Sequence, residues 1–140
     1  MSCRPYFNSN LVRLKGRVRK QPVKAAYEYA LRDKIDSYRA VFPTVLGIKQ
    51  AIADGYVVVG GILVYDSLTG LEVAQSGVMP MPTTEDKLLG GHAVVFCGYD
   101  DAKSAYLVRN SWGREWGQSG YFWIPYSYQE ISDCWVIEVV

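Results

Sequence analysis

The segment from Gly90 to Trp123, GGHAVVFCGYDDAKSAYLVRNSWGREWGQSGYFW, constrains the fold more than any other part of this chain. It carries the only histidine, His92, in an apolar run that follows two glycines. Asn110 comes eighteen positions later, within Asn110-Ser111-Trp112-Gly113, and Trp116-Gly117 and Gly120-Tyr121 follow it. The polar stretch Asp100–Ser104 separates two β-prone segments, so a hairpin is predicted that brings His92 beside Asn110. A histidine backed by an asparagine is the base–orienter part of a nucleophilic triad. The amide oxygen accepts from one ring nitrogen and fixes the tautomer, and the other nitrogen is left to serve a nucleophile. The competing reading is a core histidine in an ordinary sheet.

The rest of the composition narrows the class. With 140 residues, 49% hydrophobic and 21% charged, the chain is read as one globular domain over residues 1–140. A net charge of +1 gives no electrostatic reason to expect nucleic acid or a membrane surface as partner. The longest apolar run, from Tyr56 to Tyr65, is about half the length a spanning helix needs, so it is predicted to be a buried strand. Met1-Ser2-Cys3-Arg4-Pro5 lacks the hydrophobic core of a signal peptide. The three cysteines are an odd number without Cys-x-x-Cys or Cys/His clustering, so no disulfide framework, metal site or cofactor is expected. That cysteine usage points to a reducing, cytoplasm-like compartment.

Residues 1–21 read as an irregular arm with a basic run at Arg13, Lys15, Arg17, Arg19 and Lys20. The run is a solvated face or a docking element for an acidic partner. Pro22 opens a short predicted helix with Val23, Ala26, Tyr27, Ala30 and Leu31 on one face. Lys34–Val41 alternates like a strand. Thr44 is placed as the N-cap of a second helix bearing Val45, Ile48 and Ile52, with Gly55 as its stop. Val57–Tyr65 follows as a central strand, and its Gly60-Gly61 pair signals a bulge or a close backbone approach. Asp66–Leu89 reads as repeated turns. Strands then cover the hairpin, Tyr121–Ile124 and Cys134–Val140, which makes the class α+β with a curled sheet or half-barrel.

Gly-His-Ala-Val and Asn-Ser-Trp-Gly, in this order and spacing, resemble the papain-like cysteine peptidases. The resemblance implies that His92 and Asn110 are catalytic and that Trp112 covers the bond between them. It also implies that Gly91 and Ala93 line a peptide cleft. Trp116, Gly113, Gly117 and Gly120 are architectural on this reading, fixing the turns that present Asn110. The implied fold is the C-terminal, barrel-like half of the papain fold, an antiparallel curled sheet with two short helices. Pro5-Tyr6, Ala26-Tyr27, Ile48-Lys49-x-Ala51 and the apolar strand after Gly55 resemble bacterial and viral members in particular.

In that family the cysteine nucleophile lies about 130–150 residues before the histidine, whereas 91 residues precede His92 here. The resemblance therefore places the nucleophile, its neighbouring oxyanion-hole glutamine and the helical half outside these residues. Cys97, an odd number of positions from His92, should face the other side of the strand unless a bulge intervenes. Cys134 opens the last predicted strand as a small buried hydrophobe. Cys3 lacks a following helix that would lower its pKa, so it makes a poor nucleophile. Two functions remain. One is the His/Asn half of a peptidase, inactive alone and completed by a cysteine-bearing helical half. The other is a non-catalytic binding or structural module that pairs with itself or joins a larger assembly. No glycine loop precedes a helix in a way that suggests a nucleotide.

Overall fold

The computed structural model describes residues 21–32 and 34–139; the basic arm with Pro5-Tyr6 and Cys3 lies outside the described residues. Two compact units divide them, one holding the residues through Asp36 together with Val139, the other Ser37–Glu138. In the smaller unit, Lys24–Ala30 forms α1, as its apolar spacing predicts. The helix buries none of its residues and has no side-chain cap; among the described residues its local support includes the Lys24–Glu28 pair one turn apart and the Arg32 guanidinium over the Tyr29 ring.

The larger unit is built on the sheet. After β1 (Ile35–Val41) come α2 (Val45–Ala53), β2 (Val58–Tyr65), a 3₁₀ turn (Asp66–Thr69) and α3 (Leu71–Ser76). Then follow β3 (Leu88–Asp100), β4 (Ala105–Arg109), β5 (Tyr121–Pro125) and β6 (Ile131–Val139). The strand order is β1-β6-β2-β3-β4-β5, an open sheet in which β6-β2, β2-β3, β3-β4 and β4-β5 all run antiparallel. Strict alternation along β2 buries Val58, Gly60, Ile62 and Val64 and leaves the residues between them half-buried. Register carries this inward face across the sheet. Val136, Val58, Phe96, Val108 and Phe122 pair in sequence from β6 to β5, and all five are fully buried. A one-residue slip anywhere along this row would turn a strand's apolar set to the opposite face.

Helix α2 covers this core with Ile48 and Ala51. Thr44 caps it as predicted, its hydroxyl oxygen accepting from the Gly47 N–H at 3.1 Å, and Gly55 ends the segment at φ 92°. Lys49 on the same helix reaches Asp101 in the β3–β4 turn, and Asp101 also accepts from the Tyr126 hydroxyl at 2.8 Å. Of the two alternatives read from Gly60-Gly61, the close approach is the one found; the extra residue of the neighbouring irregularity lies on β6, where Trp135 to Ser132 spans one more residue than Val59 to Gly61. The pairing with β6 slips between Val59 and Gly61, and a Cβ on Gly60 would lie 2.8 Å from the Phe96 ring.

Two expectations need correction. The stretch read as turns contains the 3₁₀ turn and α3, which bury Leu68 and Val73. Thr69-Gly70 and Ser76-Gly77 are the ends of α3, and Gly77 stops it at φ 66°. The last strand begins at Ile131 rather than Cys134, because Asp133, at φ 49°, is absorbed as an irregularity within the strand.

Candidate active site

Strand β3 is thirteen residues long, but β4 pairs with it only from Val95 onward. His92 therefore stands on the part of β3 that extends past its partner, with Val94 and Phe96 following it on the same face. Beyond Arg109 the chain leaves the sheet at Asn110, whose N–H donates to Gly120 O at 2.9 Å. This anchoring buries Asn110 to 9% exposure.

The predicted pair is formed: His92 Nε2 lies 2.9 Å from Asn110 Oδ1. The Ser111 N–H donates to the same Oδ1 at 2.7 Å. Because a backbone N–H can meet only an acceptor, this atom is the amide oxygen, and His92 Nε2 must be protonated to bond it. The neutral ring then carries its lone pair on Nδ1, the base position. Trp112 stacks on the imidazole with centroids 5.1 Å apart and planes 25° from parallel. Its indole limits water access to the hydrogen bond. The Asn110 Nδ2 group is buried and, among the described residues, has no hydrogen-bond partner.

A ladder of rings ties this pair to the core. Trp112 meets Trp116 edge-on at 4.9 Å, and Trp116 meets the buried Phe122 edge-on at 5.2 Å. The backbone follows the same route: Gly120 N–H donates to Trp116 O at 2.8 Å, and Gly117 N–H to Ala74 O at 2.7 Å. A Cβ on Gly117 would stand 2.5 Å from Tyr121 O, at a φ of 60° that already disfavours other residues. Gly91 and Ala93 alternate with His92 and are exposed, and a Cβ at Gly91 would touch nothing.

The cysteines are placed elsewhere. The β3–β4 register slips between Phe96 and Gly98, so Cys97 is the extra residue of a bulge. That bulge removes the simple parity argument, but the thiol donates to Leu107 O at 3.4 Å. Five residues of strand also separate it from His92 by roughly 16 Å. Burial pushes the Cys97 thiol pKa up. Cys134 is buried on β6, and burial, aided by the charge of Asp133, pushes its thiol up to about 11. Both are protonated near neutrality. The expectation for Cys3 lies outside the described residues. Among the described residues no group of three or more His, Cys, Asp or Glu side chains could hold a metal, and no helix is long and apolar enough to cross a membrane. Sequence reasoning missed the Ser111 N–H that fixes the amide's orientation and the unpaired Asn110 Nδ2; spacing carries no signal for either.

Comparison with known proteins gives a consistent result. The family profile described as papain family cysteine protease matches residues 2–138. An uncharacterized peptidase C1-like protein of Acanthamoeba polyphaga mimivirus is 37% identical over 97 residues, which cover 66% of this chain and 31% of that protein. Procathepsin L of Mus musculus is 35% identical over 112 residues, 69% of this chain and 33% of its own length. The chain thus spans about a third of these relatives. Among solved structures, xylellain, a cysteine protease from Xylella fastidiosa, aligns with a TM-score of 0.80 and 40% identity over 86% of this chain and 46% of its own.

Proposed function

This chain belongs to the papain family of cysteine proteases, and from that premise we propose that it supplies the base half of a peptide-bond-cleaving site. The observation that carries the reading is the His92–Asn110 bond, which holds the imidazole in the Nε2-protonated tautomer. In the reaction, Nδ1 takes the proton of a cysteine thiol and the resulting imidazolium stabilises the thiolate. The thiolate attacks the peptide carbonyl carbon. As the C–N bond breaks, imidazolium Nδ1 gives its proton to the leaving amine, and a thioester remains. Water, deprotonated by the same Nδ1, then attacks the thioester; the acid is released and the thiol is restored. Trp112 and Trp116 keep the base oriented but take no proton.

The nucleophile is neither Cys97 nor Cys134, and the proposal assigns it to a cysteine-bearing helical segment that packs on the His92 side. On this reading the 140-residue chain alone is inactive. The second reading, a non-catalytic interaction module, draws on the exposed apolar side chains Phe42 and Leu46 at the start of α2, 82% and 77% exposed. Both readings have the chain associate with a partner segment, another copy or a larger assembly. A fluorogenic peptide and an epoxide thiol inhibitor, applied to the purified chain, test the first. No turnover and no His92-dependent labelling are expected. Rapid stoichiometric labelling of Cys3 that disappears in His92→Ala would put the nucleophile inside this chain. Turnover on mixing with a cysteine-bearing half, lost in His92→Ala, would exclude the interaction module.

A further inference from the structure

The turn that carries Trp112 and Trp116 also shapes a cleft of about 360 Å³. Its lining includes Arg109, Asn110, Ser111, Arg114, Ser119 and Tyr121, and no carboxylate. Among the described residues, neither guanidinium has an acidic partner, and neither serine hydroxyl makes a hydrogen bond. The chain as a whole is nearly neutral, so this pair of uncompensated charges is a local feature and not part of a basic surface. Asn110, between Arg109 and Ser111, is nine-tenths buried, and its Nδ2, closed to solvent, has no acceptor. Two planar guanidinium forks and two free hydroxyls can all donate, and an oxyanion is the ligand that answers such a set.

We propose that this cleft binds a small oxyanion of the phosphate or carboxylate class, held by Arg109 and Arg114 with the Ser111 and Ser119 hydroxyls, and that its occupancy steadies Asn110. The coupling follows from chain neighbours. Arg109 and Ser111 flank Asn110, and the Ser111 N–H already holds the Oδ1 that orients His92. An anion bridging these residues restrains the asparagine from both sides of its backbone. Arg109 and Ser111 act here as positioning residues, and the binding itself stands whether or not the chain is part of a working peptidase. The cleft volume lies near the lower end of the range for small-molecule sites, which suits a compact anion.

The test uses the ¹⁵N-labelled chain, titrated with inorganic phosphate and separately with citrate, at ionic strength held constant with sodium chloride. The Ser111 and Ser119 amide signals should shift along a saturating curve. The His92 imidazole signals, the only ones in the chain, should move with the same midpoint. Saturation by phosphate alone assigns a phosphate-type ligand; saturation by citrate alone assigns a carboxylate. The Arg109→Gln/Arg114→Gln variant should weaken the midpoint by about tenfold or more, the loss expected of charge-assisted bonds. If that variant does not fold, Arg114→Gln alone, on the exposed turn, carries the same expectation of clear weakening. Absence of saturation with either anion, or a midpoint unchanged by the arginine substitutions, would overturn the site. Saturation that leaves the His92 signals still would overturn the coupling to Asn110.

Discussion

Replacing Trp116 by alanine should loosen the His92–Asn110 pair without touching it. Trp116 makes two edge-on aromatic contacts, with Trp112 at 4.9 Å and with Phe122 at 5.2 Å. Such pairs are worth about 0.5–1.5 kcal/mol each beyond the area they bury, so the two together contribute about 1–3 kcal/mol. Lost burial adds to this. Because Trp116 is only partly buried, the total should fall near the lower end of the ~3–5 kcal/mol typical of large aromatic truncations. A loss of about 3 kcal/mol lowers Tm by roughly 10 °C for a domain of this size. Urea unfolding followed by far-UV circular dichroism, which does not depend on the deleted fluorophore, gives the free energy if the slope m is unchanged. A cycle with Trp112→Ala isolates the contact between the two rings, with an expected coupling of about 0.5–1.5 kcal/mol. The His92 imidazole signal should broaden in Trp116→Ala as the stacked Trp112 loses its backing. A cost below about 1 kcal/mol, or a coupling within about 0.3 kcal/mol of zero, would refute the claim that the ring ladder supports the site.

Gly60→Ala should cost about 1–3 kcal/mol, because the new methyl would press on Phe96 and Cys134, both buried where β2 meets β3 and β6; a urea midpoint equal to that of the parent chain would contradict this. Stability should also fall at alkaline pH. The Cys134 thiol is pushed from 9.0 up to about 11 in the folded chain, first by burial and then by Asp133, whereas the unfolded chain ionises near the ordinary value. The contribution is thus complete below about pH 9 and is lost as pH rises toward 11. Urea midpoints across that window should decline in the parent chain and decline less in Cys134→Ala; identical slopes would count against it.

Much of the architecture was legible because local and global signals coincide. Thr44 and Gly55 bracket α2 with chemistry that has few other uses at those positions, and the alternation in β2 leaves one arrangement that buries Val58, Ile62 and Val64. Motif spacing located His92 and Asn110 for the same reason: asparagine, tryptophan and glycine in that order demand a particular turn. The failures have physical causes too. Helix α3 has only six residues, so its capping glycines outweigh its single buried side chain, Val73, in any reading by pattern. Ser132 and Asp133 look like a turn, and only pairing with β2 draws Ile131 into the sheet. The bulge at Cys97 arises from register against β4, which no feature of β3 alone announces. The cleft between Arg109 and Arg114 depends on a tight return of the chain at Ser119-Gly120, where both residues take positive φ. Nothing in the order of residues encodes that juxtaposition.

The central claim is that Asn110 fixes the tautomer of His92 and reserves Nδ1 for a thiol proton. Because His92 is the only histidine, long-range ¹H–¹⁵N correlation on the labelled chain reads this state directly, without overlap. For the neutral ring, the spectrum should contain a protonated Nε2 and a bare Nδ1. In Asn110→Ala that single tautomer should give way to a mixture, since the lost hydrogen bond is worth about 1 kcal/mol, close to a factor of five in the tautomer ratio. A protonated Nδ1 in the parent chain, or a pattern unchanged in Asn110→Ala, would contradict the account.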